Sequence, residues 1–165
     1  MGLRFKAFLL RSEAMIKGPT VSALSRSERE LLERSFRRKG LRSTRQREHI
    51  FGILLKKRDH PTVDEVYVRA KEGMPGISLA TVYNCLETLT TCGLVKQVNI
   101  DREPSRYCPN LDEHAHFHCR DSGRVYDIDV PAELFAQLIA VLPEGHCADH
   151  IELSFHGVKQ SASNA

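Results

Sequence analysis

Apolar residues recur at helical spacing in four successive runs between residues 27 and 91, and each run opens on a side chain able to cap a helix. Ser25 or Ser27 starts the first, with Ser27 and Glu30 forming a capping-box pattern and Leu31, Leu32 and Phe36 a stripe; Gly40 ends it. Thr44 starts the second, with Ile50, Phe51, Leu54 and Leu55 turned inward. Thr62 and Glu65 repeat the capping box before Val63, Val66, Tyr67 and Ala70. Gly73, Pro75 and Gly76 then break the chain, and Ser78 opens a fourth helix with Leu79, Val82, Leu86 and Leu89 on its apolar side.

From Gly93 the period changes from helical to alternating. Val98 and Ile100, a turn at Asp101 to Pro104, and a return through Arg106 and Tyr107 predict a hairpin. A strand is expected over residues 124–129 and a helix after Pro131, with Leu134, Phe135, Leu138 and Ile139 inward. A last strand is expected over residues 150–156. Helices followed by a hairpin are the pattern of a winged helix-turn-helix, with a plain helical bundle carrying a hairpin as the competing arrangement. Strands around one helix make a small α/β unit. The fold class is therefore α+β: a flexible extension at 1–25, a winged helix-turn-helix at 26–108, and a small α/β unit at 109–165. Met15 is a possible second start within the extension.

Charge sharpens this division. The net charge of +3 conceals 16 Lys or Arg against 6 Asp or Glu in residues 1–60, and 8 against 15 in the remainder. A basic end suits a polyanion and an acidic, histidine-bearing end suits a cation. Arg42, Arg45 and Arg47 crowd the start of the second helix, where they oppose the helix dipole, so phosphate contact explains them better than stability does. The fourth helix shows Ala80, Thr81, Tyr83 and Asn84 on its polar side, and Arg102 and Arg106 flank the hairpin tip. Together they predict a double-stranded DNA partner, with Tyr83 and Asn84 facing base edges. No apolar run approaches the ~20 residues of a membrane span. The five cysteines are odd in number and irregular in spacing, so a reduced, cytoplasmic protein without membrane association is expected.

The stretch from Tyr107 to Asp127 holds three of the eight histidines and two of the five cysteines. If His114 to Cys119 is a strand, His114, His116 and His118 share one face, and Cys108 can join them across the turn at Pro109, Asn110 and Asp112. Imidazoles with a thiolate suit zinc or iron rather than calcium or magnesium, which prefer oxygen.

Several motifs together resemble the ferric uptake regulator superfamily of metal-dependent repressors over residues 28–158: Leu41-Arg42-x-Thr44-Arg45-Gln46-Arg47, His60-Pro61-Thr62 with Val66-Tyr67, Ser78 to Asn84, Gly93-Leu94-Val95, His114-x-His116 and Gly157. The resemblance implies a homodimer whose subunits carry an N-terminal winged helix and a C-terminal metal-binding dimerisation domain. It also implies one divalent metal per subunit, Zn2+ or Fe2+ with Mn2+ possible. It places the regulatory ligands at His60, Cys108, His114, His116 and Asp127, with His150 outlying, and puts Tyr83 on the recognition helix. In mechanism it implies an ion that joins the two domains and sets the angle of the winged helices in the dimer.

There are departures from the family pattern. Ser122, Lys159 and Ala162 stand where relatives complete a four-cysteine zinc site with Cys119, so that structural zinc is expected to be absent. Cys108 stands where iron and peroxide sensors carry a carboxylate and resembles zinc-sensing members, whereas Lys96 lies where some of those supply a further ligand. Ala115 replaces a carboxylate of a separate second site. Other signals compatible with these residues are peroxide, by oxidation of Cys108, and haem, through Cys108-Pro109. Two other classes compete. A zinc hydrolase would need a general base such as Glu113 or Asp121, and no His-Glu-x-x-His pattern is present. A metal-independent DNA-binding protein would bind its operator with salt dependence alone.

Overall fold

The computed structural model describes residues 24–99 and 103–160. The Arg102 assignment and nearly all of the 1–25 extension lie outside them. Five helices and five strands follow one another as α1 (Arg26–Arg38), α2 (Arg45–Lys56), α3 (Val63–Gly73), α4 (Leu79–Thr91), β1 (Lys96–Val98), β2 (Arg106–Cys108), β3 (Ala115–Cys119), β4 (Arg124–Ile128), α5 (Ala132–Ala140) and β5 (Ser154–Gly157).

The first helix begins two residues earlier than the Ser27 pattern suggests. Ser25 is the N-cap, accepting from the Glu28 backbone N–H while the Glu28 carboxylate accepts from Ser25 N at 2.7 Å. Two overlapping Ser-x-x-Glu patterns compete here, and hydrophobicity decides between them. Leu24 precedes Ser25 and packs on the core, whereas Arg26 precedes Ser27; Glu30 instead pairs with Arg26 at 2.9 Å. Thr44, Thr62 and Ser78 cap α2, α3 and α4 as expected, and Thr62 with Glu65 completes the second capping box.

Leu32 and Phe36 of α1, Ile50, Phe51 and Leu54 of α2, Val66 and Ala70 of α3, and Val82, Leu86 and Leu89 of α4 are buried in one cluster. Each large side chain there contributes roughly 1.5–3 kcal/mol of burial. Leu79, expected inward, is instead exposed in the first turn of α4. The hairpin β1–β2 is antiparallel, pairing Lys96 with Cys108 and Val98 with Arg106, and closes the cluster with Leu94, Val95 and Tyr107.

The second sheet has the order β4-β3-β5, antiparallel between β3 and β4 and parallel between β3 and β5. β5 runs close beside β3 at Gly157, where a Cβ would sit 3.1 Å from the Phe117 ring and push it back by a few tenths of an ångström. Of the four α5 residues expected inward, Phe135 is buried and Leu138 half-buried, while Leu134 and Ile139 are exposed. Tyr126, Ile128, Val141, Leu142, Phe155 and Val158 are exposed as well. The inward expectation fails for Leu134 and Ile139, because helical periodicity groups apolar residues on a face without saying whether anything covers it. No helix among the described residues is long and apolar enough to cross a membrane.

Candidate metal centre

The turn between α2 and α3 carries His60, the sole non-glycine residue with positive φ among the described residues, at +51°. A side chain in the left-handed region is strained and persists only where its surroundings hold it. Four contacts do so. Asp59 takes both guanidinium nitrogens of Arg69 at 2.8 Å, and Arg106 Nη1 donates to the His60 carbonyl at 3.1 Å. Tyr107 N donates to the Pro61 carbonyl at 3.0 Å, and Thr62 forms a β-bridge with Arg106. The turn is thereby added to the edge of the hairpin.

Two residues beyond Arg106, Cys108 ends β2 fully buried. His116 on β3 lies directly opposite Asp127 on β4, and His114 lies just ahead of β3. One ligand atom from each of His60, Cys108, His114, His116 and Asp127 falls within 4.8 Å of all the others. The Nε2 atoms of His114 and His116 are 3.0 Å apart, and Cys108 Sγ is 3.5 Å from His114 Nε2. Ligands around one tetrahedral zinc, at about 2.0 Å for nitrogen and about 2.3 Å for sulfur, would be about 3.3 Å apart for N···N and about 3.5 Å for N···S.

The polar bookkeeping points the same way. His60 Nε2 lies 2.8 Å from Asp127 Oδ1 yet is not aligned for a hydrogen bond, and its Nδ1 is buried without a partner. His114 Nδ1 lies 2.8 Å from the Asp112 carbonyl, which can only accept. The proton therefore sits on Nδ1, and Nε2 turns its lone pair into the cluster. Asn110 orients two ligands at once: its Nδ2 donates to Asp127 Oδ2 at 3.1 Å and its backbone N–H to Cys108 Sγ at 3.4 Å. Three buried imidazoles, a buried thiol and a half-buried carboxylate converging on one point fit a divalent transition ion.

Burial, reinforced by the neighbouring His114 and His60, pushes His116 down to about 4. Burial also lowers His60, against the pull of Asp127. Both rings are therefore neutral ligands at pH 7 without losing a proton. Cys108 is the opposite case, because burial pushes its thiol up to about 11, with the Asn110 N–H acting against it. An ion entering at neutral pH must displace that proton. Zinc binding should thus release one proton per ion, with affinity rising about tenfold per pH unit between pH 7 and 9. Titrations in weak buffer with a pH indicator would show it, and a flat profile would refute it.

The remaining predicted residues fall in different places. His150 is exposed and outside the five-donor group, on the rim of a cleft of about 100 Å3 that it shares with Glu113, Asp149 and Lys96 and that reaches His114 and His116. Lys96 donates to the Asp112 carbonyl at 3.0 Å. His118 does not join the cluster; it is buried and stacks on His156 of β5, ring centroids 4.5 Å apart. Arg42 and Arg45 are exposed, as are Tyr83 and Asn84 on α4, and Thr81 is half-buried with its hydroxyl 2.8 Å from that of Ser78. Arg47, in contrast, turns inward, donating to the Arg42 carbonyl at 2.8 Å with its guanidinium over the Phe36 ring. Arg106 is likewise directed at the His60 turn. Asp59 and Arg69 do not stand out in the sequence, and Asn110 reads there only as a turn residue, because their role is to hold other residues and only spatial neighbours reveal that.

A winged helix joined to a small α/β unit, with a cluster of soft ligands drawn from both, is the architecture of regulators that answer to metal ions. The chain belongs to the ferric uptake regulator family, whose model matches residues 38–155. It is 37% identical over 97 residues to the peroxide-responsive repressor PerR of Staphylococcus aureus, an alignment taking in 59% of this chain and 66% of that protein, just under two thirds. Its fold matches the ferric uptake regulator of Pseudomonas aeruginosa with manganese at a TM-score of 0.67 and 27% identity, covering 79% of this chain and 99% of that one. It also matches the peroxide stress regulator of Campylobacter jejuni at 0.62 and 26% identity, covering 82% and 97%.

Proposed function

We propose that this protein is a metal-responsive transcriptional repressor, acting as a homodimer on double-stranded DNA, in which one divalent ion per subunit bridges the winged helix to the α/β unit. The observation that carries this reading is the convergence of five donors, four buried and Asp127 half-buried, from both halves: His60 and Cys108 from the helix–hairpin unit, His114, His116 and Asp127 from the second sheet or its approach. Zinc is the preferred ion, because a thiolate with imidazoles favours it over manganese, a harder ion. Bound at these positions, the ion supplies positive charge that holds the two halves in one relative arrangement.

The protein's own residues do the rest. The arrangement with all five donors together binds the ion better than any other, so the ion shifts the population toward it. In the dimer this sets the spacing of the two α4 helices, which must reach major grooves about one turn apart. Exposed Arg42 and Arg45 suit phosphates, and Thr81, Tyr83 and Asn84 suit base edges. The apolar surface of α5, β4 and β5 left uncovered in one chain supports pairing with a second copy.

The test starts from protein stripped of metal. Binding sites are selected from a pool of random duplex DNA in the presence of zinc, and the selected duplex is titrated with zinc, ferrous iron, manganese or a chelator. Zinc should raise affinity at least tenfold and chelator should reverse it. Equal affinity with and without every metal would overturn the proposal in favour of metal-independent binding. The resemblance to a peroxide-responsive repressor supports a second version of the signal, in which iron restores binding and hydrogen peroxide abolishes it.

A further inference from the structure

We propose that Arg106, a residue of the wing, is a positioning residue for the metal centre that acts through the backbone of His60. This rests on reading the five-donor cluster as a divalent-ion site. The sequence places Arg106 beside the hairpin tip, where an arginine is naturally read as a phosphate contact. The structure turns it the other way. Its side chain is 16% exposed, its Nη1 donates to the His60 carbonyl at 3.1 Å, and the same nitrogen lies 3.7 Å from Glu65 Oε2. Both contacts commit Nη1 to the turn, and Nε is buried.

The carbonyl it holds belongs to the strained residue. At φ +51° the His60 backbone is in a region that an L side chain leaves readily when released. Rotation of about 10–20° there is enough to carry an imidazole off a coordination point. Thr62 and Arg106 form a β-bridge, and Tyr107 N holds the Pro61 carbonyl, so the turn is docked on β2 by backbone contacts. Arg106 adds a side-chain hydrogen bond from β2 to the His60 carbonyl itself. The strand that steadies His60 also supplies Cys108 two residues later, so two of the five donors keep their separation through Arg106 and its neighbours. The wing is therefore mechanically continuous with the metal centre.

The experiment is a double-substitution cycle on the full chain, read with cobalt. Cobalt(II) bound to a thiolate and imidazoles has charge-transfer and ligand-field absorption that reports both affinity and coordination. Arg106→Gln should weaken cobalt binding about 10-fold, the scale of outer-shell supports of metal ligands, and change the ligand-field bands. Arg106→Lys should recover most of the loss, since an ammonium can still donate to the His60 carbonyl. In a His60→Asn background, Arg106→Gln should change cobalt affinity less than twofold, because the imidazole that the contact positions is gone even though the backbone carbonyl remains. Should the glutamine variant fail to melt cooperatively, Arg106→Met, which keeps the aliphatic stem and lacks a donor, takes its place with the same expectation. Cobalt affinity within twofold of the unsubstituted protein would overturn the proposal. So would an undiminished tenfold loss in the His60→Asn background, which would mean general loosening. A loss of DNA affinity with cobalt binding intact would assign Arg106 to phosphate instead. Absence of any cobalt binding by the unsubstituted protein would remove the metal site itself, a failure distinct from the others.

Discussion

Cys108→Ser should lower zinc affinity by at least about 100-fold while leaving the metal-free protein folded. A structural zinc site is worth roughly 10–16 kcal/mol shared among its ligands, so loss of the single thiolate removes a large share. Serine has nearly the volume of cysteine and can still accept the Asn110 N–H that now points at the sulfur, so the packing around β2 has little reason to change. The hydroxyl is a far weaker ligand because it does not ionise at neutral pH. Cys108→Asp is the complementary variant. It puts a hard oxygen beside Asp127 and three imidazoles, and should narrow the preference for zinc over manganese by about tenfold or more. Competition against a chromogenic chelator measures both. Zinc binding by the serine variant within threefold of the unsubstituted protein would place the ion elsewhere.

His60→Asn addresses the coupling rather than the affinity. Asparagine tolerates positive φ, so the turn held by Arg69 and Arg106 can persist and the metal-free melting temperature should stay within a few degrees. What is lost is the donor that ties the α2–α3 turn to the second sheet. At saturating zinc the metal-dependent gain in DNA affinity should fall at least tenfold, within the 5–150-fold range of ordinary allosteric coupling. Cys108 still links the hairpin to the centre, so zinc itself should remain bound at higher concentration. DNA affinity that responds to zinc as before would refute the idea that His60 transmits the signal, even if the centre binds zinc as proposed.

The behaviour of individual arginines shows how far sequence reading reaches. Arg42, Arg45, Arg47, Arg102 and Arg106 look alike along the chain, each a cation near a helix start or a hairpin tip. In space they divide. Arg42 and Arg45 stay exposed, Arg47 lies over Phe36 and bonds the Arg42 carbonyl, and Arg106 serves the His60 turn. Long flexible side chains choose their partners among atoms that only the fold brings near. Nothing local distinguishes them.

What the sequence determined by itself was everything governed by short range. Helical and alternating periods placed most elements, because burial of one face imposes a period of 3.6 or 2, but the last strand, expected over 150–156, runs only over Ser154–Gly157, where it pairs with β3. The caps at Thr44, Thr62 and Ser78 were readable because a cap is a contact two or three residues long. The ligand types were readable too, since the density of His and Cys around residues 107–127 has no other ready use. Tertiary structure alone decided that His60, 48 residues before Cys108, reaches the same point as Asp127, and that His118, two residues from His116, does not. It also decided that α5 leaves Leu134 and Ile139 uncovered. These outcomes depend on strand register, on a strained turn held from outside, and on which surfaces meet, all set by contacts between segments far apart in the chain.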